Sequence, residues 1–179
     1  MIVTSSRFFA QPTLAVAQDL LGKILVVNNK AGIITETEAY IGEQDAACHA
    51  RFGRTKRSET LYAPAGTVYV YLCYGRHWML NLVSEKENFP AAVLVRGIAV
   101  CDPILKSYFL NPKSLLTGPG KVTKYLDIDQ AMNGQMINKS ALKLHKNVDI
   151  RPRVIRQGPR IGIAYASEPW RSKPWRFWI

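Results

Sequence analysis

Lys23-Ile24-Leu25-Val26-Val27-Asn28-Asn29-Lys30-Ala31-Gly32-Ile33-Ile34-Thr35-Glu36-Thr37-Glu38-Ala39-Tyr40 reads as a β-hairpin. Residues 23–27 and 33–40 are rich in aliphatic and β-branched side chains, and the Asn28-Asn29-Lys30-Ala31-Gly32 run between them carries turn chemistry. Strands joined this closely pair antiparallel. Side chains two residues apart on a strand share a face, which sets Glu36 beside Glu38 and Glu38 beside Tyr40. A carboxylate there can activate water, and a ring next to it can hold a flat, apolar group in front of that water.

The pattern recurs outward from this hairpin. Residues 68–74 alternate, with Val68, Val70 and Leu72 on one face and Tyr69, Tyr71 and Cys73 on the other. Tyr74-Gly75-Arg76-His77 turns the chain and residues 78–83 return. Residues 91–100 form a further apolar strand, ending near Arg96, and residues 160–165 another. Helical signals are few. Residues 12–21 carry a Leu14, Ala17, Leu20, Leu21 stripe stopped by Gly22. Residues 45–50 form a short helical turn bearing His49, and residues 121–126 follow Gly118-Pro119-Gly120 as a helix. There is no internal repeat, long linker or low-complexity tract. Strands outnumber helices and neighbour one another in hairpins. The expected fold is α+β: a single compact domain over residues 1–179, with a curved, mainly antiparallel sheet and peripheral helices.

At 179 residues the chain can bury about 70% of its unfolded surface. No apolar run is long enough to span a membrane, and residues 1–7 lack a charged-then-apolar signal pattern. These observations predict an intracellular protein, cytoplasmic or nucleoid-associated, or nuclear in a eukaryote. The net charge is +11 and the pI about 9.8, a balance that suits an anionic partner, most often nucleic acid. The bias is concentrated: from Ala141 onward there are nine Lys or Arg against Asp149 and Glu168. Cys48, Cys73 and Cys101 are far apart, so neither a zinc knuckle nor a disulfide framework is indicated. The His-x-Glu and Pro-Cys-x-x-Cys signature of zinc deaminases is missing.

Glu36 and Glu38 on one strand face cannot straddle a sugar bond as a glycosidase pair does. One of them is therefore expected to be structural, bonded to backbone or to an arginine. His49 suits a ligand, a base or a packing residue, and with no second His or Cys at ligand spacing it is weak evidence for a metal. The tyrosines at 69, 71 and 74 suit either core packing or a stacking surface for bases, and Tyr74, at a hairpin tip, suits a wedge into a base stack. Gly118-Pro119-Gly120-Lys121 lacks the spacing of a nucleotide phosphate loop, which leaves a helix-starting turn or a contact to one backbone phosphate.

Several of these segments occur together in a recognisable order. Glu36-Thr37-Glu38-Ala39-Tyr40-Ile41-Gly42, Asp45-Ala46-Ala47-Cys48-His49 and Gly66-Thr67-Val68-Tyr69-Val70-Tyr71-Leu72-Cys73-Tyr74-Gly75 are followed by Met79-Leu80-Asn81, Val93-Leu94-Val95-Arg96, Leu116-Thr117-Gly118-Pro119-Gly120-Lys121 and Lys173-Pro174-Trp175-Arg176-Phe177. From about Phe8 to the C-terminus they resemble the alkyladenine (3-methyladenine) DNA glycosylase family. The resemblance implies a monofunctional base-excision repair enzyme that flips a damaged purine out of duplex DNA and hydrolyses its N-glycosidic bond without cutting the strand. It implies Glu38 as general base and Arg96 as a residue holding the flipped nucleotide and the water. Tyr40 and His49 would line one face of the base and Tyr71 the opposite face. Asn81 would disfavour guanine, and Tyr74 would fill the gap in the duplex. Arg51, Arg54 and Lys121 would contact the DNA backbone. The resemblance implies no metal and no cofactor, and a monomer acting on double-stranded DNA with damaged purines. Electron-rich rings would favour a cationic, alkylated base. The rival readings are a non-catalytic basic nucleic-acid-binding domain and a basic metalloenzyme.

Overall fold

The computed structural model describes residues 6–101, 115–146 and 154–179. The opening hairpin is present and tighter than expected. Strands β1 (Ile24–Val27) and β2 (Lys30–Ile41) are joined by Asn28-Asn29 alone, with Val27 opposite Lys30. Asn28 takes φ +52, a left-handed conformation that asparagine tolerates, so Lys30, Ala31 and Gly32 are free to extend β2. Gly32 is not a turn glycine. A Cβ there would lie 2.6 Å from Ile98 Cδ1, so the position serves close approach to the next strand.

That neighbour is β5 (Ala91–Cys101), which runs antiparallel along nearly all of β2. β3 (Val68–Cys73) and β4 (His77–Val83) form the second expected hairpin, and β4 pairs with β5. β7 (Leu142–His145) covers β1, giving the order β3-β4-β5-β2-β1-β7. Short strands β6 (Leu115–Thr117), β8 (Arg156–Gly158) and β9 (Arg176–Trp178) complete a nine-stranded sheet among the described residues. Helix α1 (Ser6–Phe9) precedes α2 (Thr13–Leu20), which packs on β2 and β5. α3 (Pro119–Leu126) packs on β4 and β5. The fold is α+β, one compact domain with a curled antiparallel sheet and peripheral helices. No helix of the described residues is long and apolar enough to cross a membrane.

Strand alternation explains how one sheet serves two purposes. Val68 and Val70 join Phe9, Leu20, Ile34, Leu80 and Leu126 in the main core. Tyr69, on the other face, joins a smaller cluster with Cys48, Leu61 and Ala92, against which Tyr40 and Tyr71 pack.

One expectation fails and two shift in their bounds. Residues 160–165 form no strand. The Arg160 side chain and the Ile161 N–H are engaged elsewhere, as described below, and Gly162 turns the chain at φ +79. The strands lie on either side instead: β8 pairs with β9, and β9 pairs with β2 opposite Glu36, Thr37 and Glu38. The helix expected at 121–126 begins at Pro119, whose missing N–H is no loss in a first turn. The turn bearing His49 is a 3₁₀ helix, His49–Phe52. Residues 1–5 and the basic Arg151 and Arg153 fall outside the described residues.

Candidate active site

Glu38 sits in the middle of the sheet, fully buried, with β5 on one side and β9 on the other. Three donors address its carboxylate. Ile161 N–H donates to Oε1 at 2.7 Å, Tyr40 hydroxyl donates to Oε2 at 2.8 Å, and Arg96 Nε lies 3.4 Å from Oε1. A carboxylate offers about four lone-pair sites, so acceptor capacity remains. Burial pushes the Glu38 pKa above the ordinary carboxylate value, and Arg96, the Ile161 N–H and the Tyr40 hydroxyl oppose that push. Glu36 is the structural acid of the pair: its Oε1 accepts from Arg96 Nε at 3.2 Å and from Arg176 at 3.0 Å. A bulge in β2 opposite Gly97 makes this approach possible. A Cβ at Gly97 would press on Thr35 Oγ1 at 3.0 Å and Glu36 Cβ at 3.1 Å.

In front of Glu38 opens a cavity of about 680 Å³ whose walls include Tyr40, His49, Tyr71, Tyr74, Asn81 and Arg96. Glu38 itself lies just behind the wall, screened by Tyr40, Arg96 and Ile161. His49 and Tyr71 touch edge to face, with ring centroids 4.4 Å apart. Tyr40 and Tyr71 pack against the same cluster of Cys48, Leu61 and Tyr69.

The tautomer of His49 follows from its partners. Tyr69 hydroxyl donates to the Arg57 carbonyl at 3.1 Å, so its oxygen accepts from His49 Nδ1–H at 2.8 Å. Burial, with Arg57 and Arg51 nearby, holds the His49 pKa down at about 4, and the imidazole is neutral at physiological pH. Asn81 is likewise oriented: its amide nitrogen donates to the carbonyls of Tyr69 and Met79, both at 3.3 Å.

Of the outer residues, Tyr74 stands at the hairpin tip, 85% exposed, with φ +50. Arg51 borders the cavity. Arg54 does not; it donates to Asn88 at 3.4 Å and lies over the Tyr62 ring. Lys121 is exposed on α3, whose first residue, Pro119, reaches the cavity wall.

The largest omission of sequence reasoning is Arg160. It grips Asp45 through two bonds of 2.6 and 2.8 Å, and both side chains are fully buried. It also donates to the Ala39 and Trp170 carbonyls. Its guanidinium lies 4.6 Å from the Tyr40 ring centroid and 5.1 Å from that of Trp175. Asp45 in turn accepts from the N–H groups of Ile41 and Ala47. One ion pair thus fixes the end of β2, the turn leading to His49, and the residue before Ile161. The strong positive balance of the tail was visible, but the sequence gives no sign that this arginine, among nine basic residues, turns inward.

The methylpurine-DNA glycosylase family profile matches residues 7–179. A protein of Myxococcus xanthus is 41% identical over 176 residues, covering 96% of this chain and 87% of the relative. One of Sodalis glossinidius is 42% identical over 175 residues, covering 98% and 95%. One of Rickettsia felis is 48% identical over 133 residues, covering 74% and 71%. Each carries the name "Putative 3-methyladenine DNA glycosylase".

Proposed function

From the premise that the chain belongs to the methylpurine-DNA glycosylase family, we propose that it is a 3-methyladenine-type DNA glycosylase, that it flips a damaged purine nucleotide into the cavity, and that Glu38 drives hydrolysis of the N-glycosidic bond. The observation that carries this reading is the convergence of Tyr40, His49, Tyr71, Asn81 and Arg96 on one cavity, with the Glu38 carboxylate immediately behind it. The volume falls within the ~300–1,000 Å³ of small-molecule pockets. The everted base stacks against the rings of Tyr40, His49 and Tyr71, and that stacking offsets the few kcal/mol spent on unstacking it. Tyr74 fills the vacated place in the duplex. Glu38 removes a proton from water as the water attacks C1′, and the bond electrons leave with the base. An N3-methylated adenine already carries positive charge and leaves without a proton.

The rings do not select for that charge in the way bare rings would. Arg160 already backs Tyr40, and Arg57 lies 5.7 Å from the Tyr71 centroid. Their guanidinium groups temper, without removing, the attraction of these rings for a cationic base. Asn81 crowds the 2-amino group of guanine. Asn81→Ser is expected to admit guanine-type bases, measured as new excision products. Among the described residues no lysine lines the cavity, which favours hydrolysis without strand cleavage. The deciding experiment is a panel of duplex oligonucleotides carrying hypoxanthine, together with methylated DNA. Base release with intact abasic strands is the expected result. Duplex binding with no release from any substrate would leave the non-catalytic reading.

A further inference from the structure

Exposed apolar rings gather at the mouth of the cavity. Tyr74 is 85% exposed, Phe52 74% and Tyr165 61%, and all three border it. Tyr74 already has a place in the reading above, whereas Phe52 and Tyr165 have none. A phenylalanine held in water forgoes the gain of burial, and a cluster of such rings marks an interaction surface.

Phe52 is not on a loose loop. It closes the 3₁₀ turn His49–Phe52, in which Cys48 Sγ accepts from the Ala50 N–H and the Gly53 N–H donates to the Ala50 carbonyl at 2.8 Å. Ser58 Oγ–H donates to the Gly53 carbonyl at 2.8 Å and ties the following loop to this turn. Gly53, at φ +76, turns the chain away directly after the ring. The Arg51 guanidinium lies 4.4 Å from the Phe52 centroid and 5.2 Å from that of Tyr165, and it donates to the Cys48 carbonyl. A cation therefore backs the Phe52 ring, while three-quarters of the residue remains in water. Arg54, Lys56 and Arg57 follow on the same exposed segment. A rigid ring backed by a guanidinium within a basic surface matches the chemistry that binds nucleobases attached to phosphates.

We propose that Phe52, supported by Arg51, is a second stacking platform, on a different element from Tyr74, that takes a nucleobase of the duplex beside the everted nucleotide. The proposal rests on the glycosylase reading for its partner. Every base has a π-face, so this contact grips the duplex without reading its sequence.

The test uses a duplex with a tetrahydrofuran abasic analogue, which cannot be hydrolysed, and 2-aminopurine placed in turn at each neighbouring position in both strands. Wild-type protein is expected to change the fluorescence at more than one position. Phe52→Ala should erase the response at one position, weaken binding about tenfold, and leave the salt dependence of binding unchanged, because no phosphate contact is lost. Phe52→Trp should restore both signal and affinity. Binding by Phe52→Ala equal to wild type would overturn the proposal, and so would weaker binding with every probe response intact. Wild-type excision of lesions is assayed separately. If excision fails while the Phe52 result holds, only the glycosylase reading falls. If excision succeeds and Phe52→Ala is neutral, only the stacking platform falls.

Discussion

Glu38 shows how burial and function oppose each other at one residue. The fold surrounds a carboxyl group with donors but removes it from water, and the net effect raises its pKa. Relative to the unfolded chain, the folded state therefore favours the protonated form. Stability from this preference is fully present below the unfolded pKa and is lost as pH rises through the higher folded value. Glu38→Gln mimics the neutral form, so at pH 7.5 its melting temperature should equal or exceed that of the wild type. A clear drop would mean that the ionised pairing with Arg96 outweighs desolvation. His49 has the opposite sign. Its depressed pKa of about 4 makes a contribution that is present above the unfolded value and lost as pH falls toward 4, because only the unfolded chain takes up the proton in that window. An NMR titration should place its midpoint near pH 4, and a midpoint near the free-imidazole value of about 6.5 would contradict the buried, Tyr69-bonded geometry. Most of these residues could be read in the sequence because strand alternation puts Glu38 with Tyr40 and Tyr69 with Tyr71. Ile161 could not, since its N–H meets Glu38 across a separation of 123 residues.

At the scale of elements, β2 is shaped on both edges by features that leave little local trace. Its hairpin with β1 was legible, apart from the length of the turn. β9, which continues along the same edge of β2 past the end of β1, was not, because the three-residue strand Arg176–Trp178 has no alternation long enough to read. Residues 160–165 had the apolar character of a strand but are committed to side-chain and backbone bonds with Asp45 and Glu38. The Asp45–Arg160 pair fastens these elements together. Asp45→Asn leaves a buried guanidinium without its counter-charge, which should cost about 3–5 kcal/mol of stability. Urea unfolding of that variant, of Arg160→Met and of the double variant would measure it. The double variant should be more stable than the sum of the two single losses, and strict additivity would deny the coupling. Gly97→Ala should push β5 off the β2 bulge, loosening Arg96 from Glu36 and lowering excision as well as stability. Full activity in that variant would show that the contact of Gly97 with Thr35 and Glu36 can relax.

For the whole molecule, a net charge of +11 and a cavity rimmed by Arg51, Arg57 and Arg96 suit approach to a polyanion. Duplex affinity should fall linearly on a log–log plot against salt, with a slope of about −0.9 for each phosphate neutralised. A flat dependence would remove the charge from the binding surface. The sheet supplies the rest: one face packs the core, and the other carries the rings and, just behind the cavity, the carboxylate. The central claim is that this carboxylate is the base for hydrolysis. Single-turnover excision from a lesion duplex, followed against pH for the wild type and for Glu38→Gln, tests it directly. The wild-type rate should fall on the acid side with a midpoint above the ordinary carboxylate value, and the variant should be slower by ~10²–10⁴-fold with that limb absent while still binding the lesion. A variant that keeps both the rate and the acid limb of the wild type would show that some other group activates the water.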